Sequence, residues 1–255
     1  MKFRAFNITL DIKSLPDAAR TICDWAVASD RLRYVVTPNV DHVIQLERSP
    51  RFRSAYSGAS LVLVDGWPVA KVVGLLSKRA VDTVPGSDLV PAVFDEFSRR
   101  GTTAKIFLLG ALPGVADKAA RVIAARWPRL RTVGTYSPPF GFENDADESA
   151  KICSMIRGAS PDIIVLGLGA PKQELWVHRH QEMLGDGVAI CAGATIDFLA
   201  GSKARAPHWV RRLRMEWLHR MLLEPSRLAT RYLKGMVLFP LYSAREILKA
   251  ASRKV

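Results

Sequence analysis

Asp162-Ile-Ile-Val-Leu-Gly-Leu-Gly-Ala-Pro-Lys-Gln-Glu174 decides the fold. Its apolar run is β-branched, too short for a helix and free of polar alternation, which is the pattern of a strand covered on both faces. The glycines that follow end the strand, and Pro171 to Glu174 open a helical pattern reaching to about residue 184. The same grammar recurs along the chain. Strand-like runs stand at Tyr34-Val-Val, Leu61-Val-Leu-Val, Lys105-Ile-Phe-Leu-Leu, Thr132-Val-Gly-Thr and Val188-Ala-Ile-Cys. Helical patterns occupy residues near 16 to 28, 87 to 100, 115 to 126, 146 to 157 and 172 to 184. That alternation predicts an α/β architecture: a Rossmann-like, mostly parallel sheet with helices on both faces, spanning residues 1–202.

Each strand ends in a small or polar cluster: Thr37-Pro-Asn39, Asp65-Gly66, Gly110 to Gly114, Tyr136 to Pro139, Gly167 to Pro171 and Ala192-Gly-Ala194. Ligands of open parallel sheets bind outside the carboxyl ends of the strands, so these loops should converge on one site. The Gly167 loop, with Gly169 and Lys172, reads either as a tight turn or as a phosphate cradle, its amides and helix dipole favouring an anion. Gln173 there has an amide to offer ligand hydroxyls, while Glu174 serves the ligand or only the dipole. Asp65 reads as a turn aspartate or as a general base tuned by partial burial. Thr37 and Asn39 offer a hydroxyl and an amide suited to polar substrates.

Charge is the second signal. Of 255 residues with net charge +13, the stretch 203–255 holds 13 Lys and Arg against 3 acids, and the remainder is close to neutral. Between the arginines, Trp209, Leu213, Trp217 and Met221 recur every four residues, so residues 208 to 223 read as an amphipathic helix. Pro225 suits the first position of a second helix carrying Arg227 and Arg231 one turn apart. This 203–255 appendage either docks on the core or lies in a membrane interface, and Arg220, Arg227 and Arg231 are placed to neutralise phosphates. Three scattered cysteines without a CxxC pair indicate neither a disulfide framework nor a zinc site, and fit the cytoplasm. No export signal or membrane-spanning stretch is expected.

Two apparent metal sites dissolve on inspection. Asp145-Ala-Asp147 looks like a metal-binding DxD, yet Asp145 with Glu148 fits a helix cap. His178 and His180 are two apart on one helix and face different ways.

Taken together, the chain resembles the WecG/TagA/CpsF family of bacterial glycosyltransferases over nearly its whole length. The residues that carry the likeness are Thr37-Pro-Asn39, Val64-Asp65-Gly66, Pro85-Gly-Ser-Asp88, Gly167 to Glu174, Gly193 to Gly201 with Asp197, and Arg205-Ala-Pro207. It continues through Glu216-Trp217, Arg220, Glu224-Pro225, Arg227 and Arg231-Tyr232. The resemblance implies inverting transfer of N-acetylmannosamine or a related hexose, without metal or other cofactor. The donor would be a UDP-sugar and the acceptor a polyprenyl-diphosphate-linked sugar at the inner face of the cell membrane. It further implies a C-terminal appendage that touches the anionic membrane surface and completes the site, with Asp65 as base and Thr37, Asn39 and Gln173 as sugar contacts. The nucleotide is expected over Tyr136, Ser137 and the Gly167 loop. One departure stands out: many members carry an arginine three residues before the glycine of the Gly86 block, where this chain has Thr83. Arg79 or a tail arginine would then take its task, or the donor differs.

Two rival readings remain. A nucleic-acid-binding protein would spread its basic residues over a groove, whereas here they are confined to a Trp/Leu-rich helix, so no nucleic acid is expected. A Rossmann oxidoreductase lacks its glycine fingerprint here, but a non-catalytic nucleotide binder stays open, as does homo-oligomerisation.

Overall fold

A computed structural model describes residues 1–207, 209–210 and 215–252, except that the side chains of Arg220 and Arg227 lie outside the described residues. Its centre is a six-stranded, all-parallel sheet in the order β4-β3-β8-β7-β5-β6. The strands are β3 (Leu32–Val36), β4 (Leu61–Val62), β5 (Ala104–Gly110), β6 (Leu130–Tyr136), β7 (Ile163–Gly167) and β8 (Gly187–Cys191). All six expected strands are present. A short antiparallel hairpin, β1 (Lys2–Ala5) with β2 (Ile8–Asp11), turns through Phe6 and Asn7, both at positive φ. It holds the start of β4 through Asp11, whose Oδ2 accepts the Val62 amide at 3.1 Å.

Alternate residues of the central strands enter two cores. One face packs Tyr34, Val36, Phe107, Leu109, Ile164 and Leu166 under α2 (Val40–Arg48), α3 (Pro50–Ser57), α4 (Trp67–Ser77), α7 (Ala146–Ala159) and α8 (Lys172–His180). The other packs Val35, Ile106, Leu108, Val165 and Ile190 under α1 (Leu15–Val27), α5 (Gly86–Arg100), α6 (Val115–Arg126) and α9 (Thr195–Leu199). The two-residue period of a strand makes this double burial possible.

The chain leaves β5 for a helix on one face and β7 for a helix on the other. That reversal opens a crevice between their carboxyl ends, the usual ligand position in such sheets. There the backbones nearly touch. A Cβ on Gly110, which sits at φ +122°, would come within 2.5 Å of the Gly167 carbonyl carbon. Gly110→Ala is therefore expected to destabilise the protein by about 3 kcal/mol or more. An unchanged denaturant midpoint would show that the strands part freely here.

After α9 come two tail helices, Glu216–Leu223 and Pro225–Ser252. Pro225 takes the first helical position, as expected. The expected amphipathic helix from 208 to 223 is described only in part, since His208 and residues 211–214 lie outside the described residues. The long tail helix runs down α2 onto the hairpin. Arg231 Nη2 reaches Asp41 Oδ2 at 3.1 Å, Gly235 packs on Val40, Phe239 meets the Phe6 ring at 5.8 Å, and Glu246 accepts the Phe6 amide at 3.2 Å. Its outer face stays apolar and exposed at Leu233, Met236, Val237, Leu241 and Leu248. Docking on the core and presenting an apolar face are thus properties of opposite sides of one helix.

Candidate active site

The ends of β4, β3 and β7, with β8 between the last two, face one side of the sheet. β3 runs into Thr37, which is buried, and then Asn39, the N-cap of α2. The Asn39 Oδ1 accepts the amides of Asp41 at 3.0 Å and His42 at 3.4 Å. That fixes the side-chain orientation and turns Nδ2, a donor without a partner among the described residues, to other use. Beyond β4 the chain keeps its register as far as Asp65, whose amide donates to the Pro38 carbonyl at 3.0 Å. Gly66 at φ +86° then turns the chain into α4, leaving Asp65 half-buried at the rim beside Asn39.

β7 contributes the Gly167 loop and the start of α8. Gln173 and Glu174 are buried. The Gln173 Oε1 accepts the amides of Gly169 and Gly193, each at 3.2 Å, and its Nε2 donates to Glu174 Oε1 at 2.8 Å. Gln173 is therefore a strut between the ends of β7 and β8. The Glu174 Oε1 also faces His42 Nε2 at 3.5 Å, and His42 Nδ1 lies 2.8 Å from Asn39 Oδ1. The Asn39 backbone amide in turn donates to His42 Nδ1 at 3.3 Å, so side chain and backbone cap each other reciprocally at the start of α2. One polar chain thus joins Gly169, Gly193, Gln173, Glu174, His42 and Asn39 across β3, β8 and β7. Beneath it, Glu174 Oε2 and the Tyr56 hydroxyl are buried without hydrogen-bond partners among the described residues. Burial, and next the Glu174 carboxylate, hold the Tyr56 phenol well above its ordinary range, so it remains a neutral donor.

Asp197 lies in the first turn of α9, half-exposed, and Ile196 beside it packs on Gly167. It therefore borders the β5–β7 crevice. Arg205 brings a cation to the same edge: its Nη2 lies 2.8 Å from Asp88 Oδ1 and its Nη1 donates to the Ser87 carbonyl at 3.4 Å. Arg231 joins the site through Asp41. Arg79 and Thr83 are exposed.

Two expected residues stand apart from Asp65. Tyr136 is on β6, the opposite edge strand, about 24 Å away at ~4.8 Å per strand. Its hydroxyl is bonded to Glu148 and Lys151. Lys172 pairs with Glu143 at 2.6 Å and lies 4.5 Å from the ring of the fully exposed Phe140. The Asp145 carboxylate is spent on the amides of Asp147 and Glu148, as a helix cap. His178 bonds Tyr34 and Ser54, whereas His180 bonds the Trp176 carbonyl. The sequence reading missed His42 and Tyr56. The only local cue was the Asn39-Val-Asp-His42 cap pattern, and nothing in the chain near either residue points to Glu174.

The sequence profile described as the Glycosyl transferase WecG/TagA/CpsF family matches residues 3–253. The chain is 27% identical over 194 residues to the N-acetylglucosaminyldiphosphoundecaprenol N-acetyl-beta-D-mannosaminyltransferase of Bacillus spizizenii, covering 76% of this chain and 72% of that one. It is 28% identical over 208 residues to the protein of the same name from Staphylococcus aureus strain NCTC 8325, covering 81% and 77%.

Proposed function

The chain belongs to the WecG/TagA/CpsF family of glycosyl transferases, and from that premise we propose that it moves a hexose from a UDP-sugar to a polyprenyl-diphosphate-linked sugar, with inversion and without a metal ion. N-acetylmannosamine is the donor sugar and N-acetylglucosamine the acceptor sugar that the relatives' names favour. The observation that carries this reading is the convergence of Asn39, Asp65 and the Gln173 strut at one sheet edge.

The nucleotide lies over the β5–β7 crevice, with the Gly167 loop at its phosphates and Asp197 at its ribose. From β7 to β4 is three strand spacings, about 14 Å, which lets the sugar reach toward Asp65. The acceptor hydroxyl attacks the anomeric carbon from the face opposite UDP. Its proton passes to Asp65 as the carbon–phosphate oxygen bond breaks, and UDP departs with the electron pair. Thr37 and the Asn39 Nδ2 orient the sugars.

Negative charge growing on the departing diphosphate calls for fixed cations. Arg205, held against the Gly86-Ser-Asp88 block, is a cation beside the segment in which Thr83 replaces the family arginine. Arg231, with Arg220 and Arg227 of the 203–255 appendage, supplies the rest. A panel of UDP-sugars offered with a polyprenyl-diphosphate N-acetylglucosamine acceptor, followed by mass spectrometry, tests the reading. Product is expected with and without EDTA. No product from any donor would defeat the function, and loss of activity with EDTA would defeat the metal-free mechanism.

The apolar outer face of the long tail helix supports peripheral contact with the inner face of the cell membrane. No helix of the described residues is long and apolar enough to cross one. Val237→Glu with Leu241→Glu removes two exposed side chains worth about 2 kcal/mol each if they enter the interface. Sedimentation with anionic vesicles is expected to fall by more than about tenfold, with melting unchanged. Undiminished sedimentation would place the membrane contact elsewhere.

A further inference from the structure

Beside the site, an open groove of about 330 Å³ runs along the outer side of α2. Its apolar lining comes from Ile44, Phe52, Pro171 and Leu175, and its cations from Arg48 and Lys234. It begins at Asp41, whose amide is bonded to Asn39, and at Pro171, just ahead of the Gln173 strut. It ends near Arg48, seven residues further along α2, a length of about 10 Å at 1.5 Å per residue. The long tail helix forms one wall. That wall contributes Lys234, and Leu233 and Val237 of the exposed apolar face are its neighbours along the helix. Neither Arg48 nor Lys234 makes an ion pair among the described residues, and both are exposed.

We propose that this groove holds the diphosphate and the first isoprenoid units of the lipid acceptor. The proposal rests on the glycosyl-transfer reading and extends it to the route by which the lipid leaves the site. Three features select this occupant. The groove starts at Asp41, two residues beyond the Asn39 assigned to the sugars, so the next chemical group outward is the diphosphate. Arg48 and Lys234, unpaired among the described residues, stand beside the apolar Ile44, Phe52, Pro171 and Leu175 and complement an anionic head joined to a hydrocarbon chain, while the one acid of the lining, Asp41, is neutralised by Arg231. The helix that supplies Lys234 to the groove is also the one that carries the exposed apolar face, so groove and membrane-facing surface belong to one element.

The test is direct binding, independent of turnover. Farnesyl diphosphate serves as the probe, with farnesol and inorganic diphosphate as its two separated halves, each titrated into the full-length protein. UDP is titrated in parallel. The intact chain is expected to prefer farnesyl diphosphate to either half. Leu175→Ser is expected to weaken farnesyl diphosphate about tenfold, the loss of roughly two buried methylenes, and to leave inorganic diphosphate and UDP unchanged. Arg48→Glu with Lys234→Glu, at exposed positions that cannot unfold the core, is expected to weaken farnesyl and inorganic diphosphate alike and to spare farnesol. Farnesol binding as tightly as farnesyl diphosphate, both variants binding as the parent does, or UDP affinity falling in place of farnesyl diphosphate would each overturn the proposal. Variant-sensitive farnesyl diphosphate binding in a protein that transfers no sugar would keep the groove and remove the enzymatic reading.

Discussion

Asp65→Asn is expected to lower turnover by about 10²- to 10⁴-fold, the usual span for a lost general base, with the fold intact. The position is built so that the two effects separate. What anchors Asp65 to the neighbouring strand end is its backbone amide, bonded to the Pro38 carbonyl at 3.0 Å, and asparagine keeps that bond. Asparagine also keeps the side-chain volume and can donate or accept hydrogen bonds at the half-buried rim. It cannot take a proton from a hydroxyl. The loss should therefore fall on the chemical step: kcat drops, the KM of the UDP-sugar stays within a few-fold, and the melting temperature hardly moves. A variant that transfers sugar at the parental rate would remove Asp65 from the role of base without touching the family assignment. A variant that loses UDP-sugar affinity and retains kcat would make Asp65 a donor contact.

Much of this site was legible because strands buried on both faces write themselves as unbroken apolar runs, and because such runs end where ligands bind. Leu61 to Val64 was read as a strand although the regular ladder covers only Leu61–Val62. The Leu63 amide still bonds Val36, and that continued register is what carries Asp65 to the rim. The helices on either side of that strand were far less legible: α2 and α3 are under ten residues and α4 is too uniformly apolar to show a face. Ser49-Pro50 is a capping serine followed by proline at the first helical position, a local cue for α3 that the apolar periodicity alone does not carry. The tail illustrates a different limit. Pro225 announced a second tail helix, but not that one side of it would pack on Phe6 and α2 while the other stayed bare. Such a choice depends on what faces the helix, and sequence spacing holds no record of that.

The second large effect is expected at Gln173. Replacing it with alanine removes the acceptor for the Gly169 and Gly193 amides and the donor to Glu174 in one step. Each buried group left unpaired costs about 1 to 3 kcal/mol. Water reaches the half-exposed glycine loops, so Gln173→Ala should destabilise by about 2 to 4 kcal/mol, a fall of roughly 5 to 15 °C in Tm for a chain of this size. Turnover should fall further than stability. Those two loops border the crevice assigned to the nucleotide, and a 1 Å shift in such a loop costs about 10²-fold in rate. Glu174→Gln provides the contrast. A glutamine there keeps an oxygen that accepts from Gln173 and faces His42, so the polar chain from Asn39 to Gly193 remains closed. Its turnover should stay within about tenfold of the parent. If the two variants lose activity equally, the negative charge of Glu174 matters in itself and the network is more than a brace. If Gln173→Ala keeps both parental Tm and parental kcat, the strand ends hold themselves, and the strut between β7 and β8 has no part in shaping the site.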